Sequence, residues 1–189
     1  MPNESIMEAN VGKWLKARFD EDKVASQVPL KQANSRNSGR LDLVAYDKKR
    51  GVFWVVECKP ARTEVEISKA FAQARVYRSM IERSPDEFVD SASDGKLEMR
   101  FQRLMEATDR AIRIRVEFYV ALKEKTCGNV SWIRNFKGQY PEIGVIRYKQ
   151  NGTCRSYLRY ANNRHDSELA RAITVTIPIK GIWAAPHSI

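Results

Sequence analysis

The sequence is poor in cysteine and histidine, and it lacks a long apolar run. Its 189 residues include three cysteines, none of them in a C-x-x-C pair, and two histidines near the C-terminus. A structural zinc site, an iron–sulfur cluster, a disulfide framework and a Ser-His-Asp triad are therefore disfavoured. No segment approaches the ~20 apolar residues that span a bilayer, and residues 1–8 are too polar for a secretory signal. We therefore expect a cytoplasmic protein with no membrane partner.

Positive charge is concentrated in one part of the chain. The formal net charge is +10. Residues 100–164 contain 14 Lys and Arg against 5 Asp and Glu, whereas the other residues contain 19 against 18. A field of this kind favours a polyanion, which makes a nucleic acid the expected partner. A basic surface that serves only solubility is the alternative.

The spacing of apolar residues predicts one α/β domain over residues 1–189, with a central mixed sheet flanked by helices. The predicted helices cover residues 5–19, 64–82, 97–110 and 129–136. The predicted strands cover residues 24–31, 41–46, 52–59, 112–122, 143–149, 153–160 and 172–179. We further expect an exposed loop over 83–96, a hairpin turn at Asn151-Gly152 and a C-terminal extension over 161–189.

Three charged residues stand in two apolar strands that a short polar turn connects. Glu57 and Lys59 are two positions apart, so their side chains point to the same face of the second strand. Asp42 lies in the preceding strand, which the turn at residues 47–51 would place alongside. We therefore expect Asp42, Glu57 and Lys59 to meet on one face of the sheet.

Converging carboxylates in an apolar strand require a cation, because buried charges must be paired or bind a metal. Hard oxygen ligands favour Mg²⁺ or Mn²⁺ over zinc. The backbone carbonyl of Cys58 is a further candidate ligand, and the Cys58 thiol is expected to face the other side. The alternative is a surface ion pair between Glu57 and Lys59, since E-x-K is a common pattern.

Leu41-Asp42 and Glu57-Cys58-Lys59 resemble the signature of the PD-(D/E)XK, or restriction-endonuclease-like, nuclease superfamily. The predicted order of helix, three-strand meander, helix and strand is similar to the core of that family. The resemblance covers residues 4–122, with Leu41 at the position of the family's proline. It implies a restriction-endonuclease-like fold and metal-dependent hydrolysis of phosphodiester bonds, with Asp42, Glu57 and Lys59 as catalytic residues.

The helix after Lys59 contains Gln73-Ala74-Arg75-Val76-Tyr77, which resembles the Q-x-x-x-Y motif of the RecB-like branch of that superfamily. Gln73 and Tyr77 are four positions apart and share one face of the helix. The resemblance implies that Gln73 assists catalysis and that Tyr77 contacts nucleic acid. Core packing of Tyr77 is the alternative. Arg75 and Arg78 are candidate phosphate contacts on the same helix.

The first predicted helix offers a further metal ligand, since many relatives in that superfamily have a glutamate there. Glu8 borders the apolar side of this helix and is the candidate, with Glu4 as its competitor. A solvated helix acid is the alternative.

Alternating apolar and basic residues over 112–116 place Arg113 and Arg115 on one strand face, as candidate nucleic-acid contacts. They belong to a larger pool of basic residues that could bind phosphate. The other members are Lys123, Lys125, Arg134, Lys137, Arg147 and Lys149.

The sequence therefore predicts a Mg²⁺- or Mn²⁺-dependent nuclease that acts on DNA. A non-catalytic nucleic-acid-binding or assembly subunit with the same fold and an RNA-directed nuclease are the alternatives. A double-strand cut would need two active sites, so we consider a homodimer as well as a subunit of a larger DNA-processing complex.

Overall fold

Two long helices and eight strands account for most of the chain that the structure describes. The structure is a computed structural model, and it describes residues 4–19, 23–30, 39–47, 49–88, 107–108, 111–123, 135–136, 138–149, 154–157 and 173–178. The helices are α1 (Glu4–Phe19) and α2 (Glu64–Arg83). The strands are β1 (Val24–Leu30), β2 (Gly39–Asp47), β3 (Val52–Lys59), β4 (Ala107–Thr108), β5 (Ala111–Lys123), β6 (Ile143–Tyr148), β7 (Cys154–Tyr157) and β8 (Ile173–Pro178).

All eight strands belong to one mixed sheet, as the sequence predicts. Its main path is β1-β2-β3-β5-β6-β7, and β4 and β8 pair with β5 off that path. The first three strands are antiparallel, whereas β3, β5 and β6 run parallel. The carboxyl ends of these parallel strands therefore meet at one edge of the sheet, where β3 ends at Lys59 and β5 at Lys123.

Each face of the sheet is covered by one helix. In β3, Phe53 and Val55 pack in the layer beneath α2, whereas Trp54 and Val56 pack beneath α1. The alternation therefore assigns Glu57 to the α2 side and Cys58 to the α1 side. The helix residues that enter these layers are Ile67, Ala70, Phe71, Ala74, Tyr77, Met80 and Ile81 from α2, and Met7, Val11, Leu15 and Phe19 from α1.

A capping box formed by Thr63 and Glu66 begins α2. The Thr63 hydroxyl accepts a hydrogen bond from the Glu66 backbone N–H, and the Glu66 carboxylate accepts one from the Thr63 backbone N–H. These two bonds satisfy N–H groups that have no partner within the helix. The helix thus starts five residues after Lys59 and connects β3 to the parallel strand β5.

The turn between β2 and β3 is built around Asp47 and Gly51. The Asp47 carboxylate accepts the backbone N–H groups of Lys49 and Arg50, at 3.1 and 3.2 Å. Gly51 has φ +61°, a left-handed conformation that favours glycine. These features fix the hairpin register that aligns Asp42 with Glu57.

An ion pair between the exposed Arg50 and the buried Glu117 joins this turn to β5. Arg50 makes two hydrogen bonds to the carboxylate of Glu117, which is only 1% exposed. The Tyr119 hydroxyl donates to the same carboxylate at 2.8 Å, and the Tyr119 ring stacks on Trp54. Burial of Glu117 is therefore compensated by both a cation and a hydroxyl.

Two expectations need correction. Residues 107–108 form strand β4 and not the end of a helix, because they pair with β5. Residues 85–88 are helical and Phe88 is fully buried against Phe53, so this part of the expected loop over 83–96 is folded onto the core. The strand expected over 172–179, within the C-terminal extension, is confirmed as Ile173–Pro178, which pairs with β5. The expected turn at Asn151-Gly152 and most of the helices expected over 97–110 and 129–136 lie outside the described residues.

Across the described part of the chain, no helix combines the length and apolar character that a membrane span requires.

Candidate metal centre

Asp42 and Glu57 face each other at the open end of the β2–β3 hairpin. The register pairs Leu43 with Val56, so the next opposed positions are Asp42 and Glu57. The Asp42 carboxylate accepts a hydrogen bond from the backbone N–H of Cys58 at 2.7 Å. Burial raises the pKa of Asp42, and this N–H group opposes the rise because it stabilises the charged form. The hairpin thus fixes two carboxylates at one position.

Glu57 is a buried carboxylate with an incomplete set of partners. Its side chain is 1% exposed, and neither oxygen receives a hydrogen bond of acceptable geometry from the described residues. The ammonium of Lys59 forms an ion pair with this carboxylate, 3.1 Å from Glu57 Oε1. Burial and the neighbouring charge of Asp42 raise the pKa of Glu57 to about 8. A bound cation would relieve both effects.

Lys59 extends from the end of β3 towards α1. Its ammonium lies 2.5 Å from Glu4 Oε1 and 3.1 Å from Glu57 Oε1. Burial lowers the pKa of Lys59, but the hydrogen bond to Glu4 and the charge of Glu57 outweigh it, so the pKa is raised above its ordinary value. Lys59 is therefore a charged ammonium held between two carboxylates.

Glu4 completes a group of three carboxylates with Asp42 and Glu57. One ligand oxygen from each lies within 4.8 Å of the others, a spacing that can hold a metal ion. Three carboxylate oxygens form a hard donor set, which suits Mg²⁺ or Mn²⁺. We call Glu4, Asp42 and Glu57 the carboxylate cluster.

Glu8 and the Cys58 thiol lie outside this cluster. Glu8 accepts a hydrogen bond from Gln27 Nε2 at 2.7 Å, on the side of α1 that faces β1. Its charge still raises the pKa of Asp42, so it is a neighbour of the cluster. The Cys58 side chain is buried in the α1 layer, as expected, and its backbone N–H binds Asp42.

Gln73 and Tyr77 form a hydrogen-bonded pair on α2. Gln73 Nε2 donates to the Tyr77 hydroxyl at 2.6 Å, and that hydroxyl donates to the backbone carbonyl of Arg40 at 2.9 Å. The Tyr77 ring lies so close to Gly39 that a Cβ there would be 2.9 Å from Tyr77 Cε1. The pair therefore supports the start of β2, two residues before Asp42, and Tyr77 is also a core residue.

The two candidate arginines on α2, Arg75 and Arg78, already have protein partners. Arg78 makes ion pairs with Glu82 at 3.1 Å and Glu142 at 3.7 Å. The Arg75 guanidinium lies 5.9 Å from the centroid of the Tyr140 ring. Arg78 is thus neutralised by two acids, which weakens its case as a phosphate contact.

Arg113 and Arg115 lie far from the carboxylate cluster. Leu122 pairs with Lys59, whereas Arg115 pairs with Val52 at the other end of β3. Seven residues of strand separate these two positions, about 23 Å at the usual rise per residue. Both arginines are exposed, but they belong to the opposite end of the sheet.

Two further basic residues stand near the cluster in the strands, Lys123 from the basic pool and Arg40, to which sequence reasoning assigned no role. Lys123 follows Leu122 and ends β5 at the same edge as Lys59. Arg40 is exposed and precedes Asp42 by two positions in β2. The spacing of two was the available signal for Arg40, but Lys123 required the strand register.

A scan against models of known protein families finds no match, and comparisons with curated proteins and with solved structures find none either. Support for a function comes from the residues and their geometry.

Proposed function

We propose that the protein is a metal-dependent nuclease that hydrolyses phosphodiester bonds in DNA. The observation that carries this proposal is the carboxylate cluster, in which oxygens of Glu4, Asp42 and Glu57 lie within 4.8 Å of one another beside the Lys59 ammonium. An arrangement of three acids and one lysine at the edge of an apolar sheet has the donors that a Mg²⁺ or Mn²⁺ site requires. It also has the cation that phosphoryl chemistry uses.

The donor set fits the implied metal. Both oxygens of Glu57 lack a hydrogen bond within the described part of the chain, although the side chain is buried, and such a group needs a partner. Asp42, Glu57 and Glu4 would hold Mg²⁺ or Mn²⁺, with the Cys58 carbonyl as a further candidate. When bound, such an ion supplies Lewis acidity and lowers the pKa of a coordinated water.

The remaining residues have separate roles. Lys59 would orient the attacking water and stabilise negative charge on the phosphate oxygens, because its ammonium already lies against two cluster carboxylates. Gln73 and Tyr77 hold the backbone at Arg40, and with it the position of Asp42. Gln73 therefore assists catalysis as a positioning residue in this proposal.

The architecture supports a restriction-endonuclease-like core. The chain runs through α1, an antiparallel β1-β2-β3 meander, α2 and then β5 parallel to β3. This is the order of elements that the resemblance to the PD-(D/E)XK superfamily implies. The three signature residues fall in β2 and β3 of that order.

Two alternatives lead to different measurements. In a non-catalytic binding or assembly subunit, the contacts of Lys59 with Glu4 and Glu57 would only neutralise charge, and DNA would be bound without being cut. An RNA-directed nuclease would use the same cluster on a different substrate. Comparing cleavage of matched DNA and RNA strands tests the second alternative.

The oligomeric state is a separate question. Light scattering during chromatography distinguishes a homodimer from a monomer that works within a larger complex.

The decisive experiment measures cleavage of supercoiled plasmid, linear duplex and single-stranded DNA with Mg²⁺, Mn²⁺ or EDTA. We expect cleavage by the wild type that requires metal and is lost in Lys59→Ala. Lys69→Ala is the matched control, because Lys69 is an exposed lysine on α2 with no part in the cluster. Binding of DNA without cleavage under every metal would contradict the nuclease proposal.

A further inference from the structure

A groove runs along α1 and begins one residue beyond Glu4 of the carboxylate cluster, at Ser5. It has a volume of about 410 Å³ and lies between α1 and the edge strand β1. Ser5 and Glu8 line one end, and Lys13 and Lys16 line the helix towards the other. This volume is within the ~300–1,000 Å³ range of ligand sites.

The groove begins next to the proposed active site, because Glu8, which lines it, lies close enough to Asp42 to raise the pKa of that carboxyl. Ser5 follows Glu4 directly in the chain, and Glu8 lies one helical turn beyond Glu4 on the same face of α1. Ser5 and Lys16 are eleven positions apart, which is about 16 Å along the helix axis. That length is enough for a few nucleotides of one strand. An apolar floor favours an unpaired strand, because the faces of its bases are available for stacking, whereas those of a duplex are already stacked on each other.

The lining combines an apolar floor with basic walls. Leu43 and Val24, which both pack on the α1 side of the sheet, form part of the floor. Gly12 faces this floor, since a Cβ there would be 3.4 Å from Leu43. Lys13 and Lys16 give the walls two positive charges against one acid, Glu8. A nucleotide has matching surfaces, with an apolar base and sugar and a charged phosphate.

The Glu8 carboxylate is turned to one side of the groove, towards β1. Its carboxylate accepts a hydrogen bond from Gln27 Nε2 at 2.7 Å. Gln27 has φ +54°, and the β1–β2 register skips it between the pairs formed by Ser26 and Val28. An unfavourable backbone conformation of this kind is maintained only where the surroundings require it. Here it brings the Gln27 amide to Glu8.

We propose that this groove holds an unpaired stretch of the DNA strand whose phosphodiester bond lies at the carboxylate cluster, with Lys13 and Lys16 neutralising its phosphates. The inference depends on the proposed nuclease function and specifies its substrate as single-stranded DNA or a frayed end.

The test measures binding by fluorescence anisotropy, with a labelled dT20 strand and a 20-base-pair duplex as probes. Ca²⁺ replaces Mg²⁺, and a gel verifies that the probes stay intact. We expect the wild type to bind dT20 at least tenfold more tightly than the duplex. The double variant Lys13→Gln/Lys16→Gln should weaken dT20 binding about 25-fold at 0.1 M salt and reduce the salt slope by about 1.4.

Two controls separate the groove from general charge and folding effects. Lys69→Gln/Arg83→Gln removes the same charge from the exposed surface of α2 and should bind like the wild type. Ala9→Trp fills the groove without changing charge and should also weaken dT20 binding, whereas Ala72→Trp places the same ring on exposed α2 and should not.

The groove proposal and the nuclease proposal fail in different ways. Unchanged dT20 binding by both groove variants, or equal binding of the strand and the duplex by the wild type, would overturn the groove. If the same variants cleave DNA with an unchanged KM, the groove proposal is also overturned, whereas the nuclease proposal stands. Absence of metal-dependent cleavage by the wild type would instead overturn the nuclease.

Discussion

The Lys59 ammonium contacts Glu4 Oε1 at 2.5 Å, although the two residues are 55 positions apart in the chain. This contact joins the first turn of α1 to the end of β3 and brings Glu4 beside Asp42 and Glu57. Lys59 thereby neutralises part of the charge that the three acids place at one point. A metal ion would compete with it for the same oxygens.

Replacing Lys59 should separate metal binding from cleavage. In Lys59→Met the ammonium no longer competes for Glu4 and Glu57, so we expect Mn²⁺ to bind at least as tightly as in the wild type. Cleavage should fall by about 10²-fold or more, because charge on the phosphate loses its stabilising cation. Calorimetric titration with Mn²⁺ and a cleavage assay on the same preparation measure the two effects. Loss of Mn²⁺ binding would show that Lys59 organises the acids instead.

Glu4 and Glu8 should differ in their effect on metal affinity. Glu4→Gln removes a ligand oxygen from the carboxylate cluster, so we expect Mn²⁺ affinity to fall about tenfold or more. Glu8→Gln is the matched control on the same helix, and it should change affinity by less than about threefold, because Glu8 binds Gln27. Electron paramagnetic resonance of free Mn²⁺ measures both. The opposite ranking would make Glu8 the ligand.

Glu57 should make the metal-free protein less stable as pH rises. Its pKa is about 8 in the folded protein and 4.5 when unperturbed, so the folded state binds more protons between these values. The free energy of unfolding therefore decreases from about pH 4.5 to about pH 8. The stability of Glu57→Gln relative to the wild type should therefore increase by about 3 kcal/mol between pH 5.5 and pH 8.5 in EDTA.

Urea unfolding at the two pH values measures this difference. Glu64→Gln, which replaces an exposed acid of α2, is the control. Its difference in stability from the wild type should be the same at both pH values. The same linkage predicts that wild-type Mn²⁺ affinity increases with pH up to about 8, since the metal must displace the proton of Glu57. A pH-independent affinity would indicate that Glu57 is already ionised or is not a ligand.

The close approach of Gly39 to Tyr77 predicts a position that does not tolerate a side chain. A Cβ at Gly39 would lie 2.9 Å from the Tyr77 ring, so Gly39→Ala should destabilise the protein by about 1–3 kcal/mol. Gly138→Ala is the control, because Gly138 is exposed and its Cβ would meet no atom within 4 Å. The control should be neutral or stabilising by up to about 1 kcal/mol. Urea denaturation compares the two, and equal stabilities would contradict the packing of Tyr77.

Basic residues at the two ends of β5 should contribute differently to the KM for DNA. Lys123→Gln should raise the KM for DNA about five- to eightfold at 0.1 M salt, the effect of one lost phosphate contact. Arg113→Gln/Arg115→Gln should change KM by less than twofold, because these residues lie about 23 Å from Lys59 along the strand. Steady-state kinetics on one DNA substrate tests both. A larger effect of the arginine pair on KM would support the sequence-based expectation that Arg113 and Arg115 contact nucleic acid.

Local patterns predicted the elements that hold the cluster. The alternation in Val52–Lys59 and the capping box at Thr63 gave the bounds of β3 and the start of α2, since both depend on residues close in sequence. Glu4 was placed only as a competitor of Glu8, because both lie on one helix face and the choice depends on how α1 sits over β2. The separation of Arg115 from the cluster likewise required the parallel register of β3 and β5.

The ion pair between Arg50 and Glu117 also protects the hairpin against misalignment. A slip of one residue between β2 and β3 would turn one of the two facing acids into the α1 layer. If the slip displaced Arg50 from Glu117, that buried carboxylate would lose its cation, at a cost of about 3–5 kcal/mol. Misaligned chains would then be rare during folding, and the fidelity of the cluster would depend on a contact at the far end of the sheet.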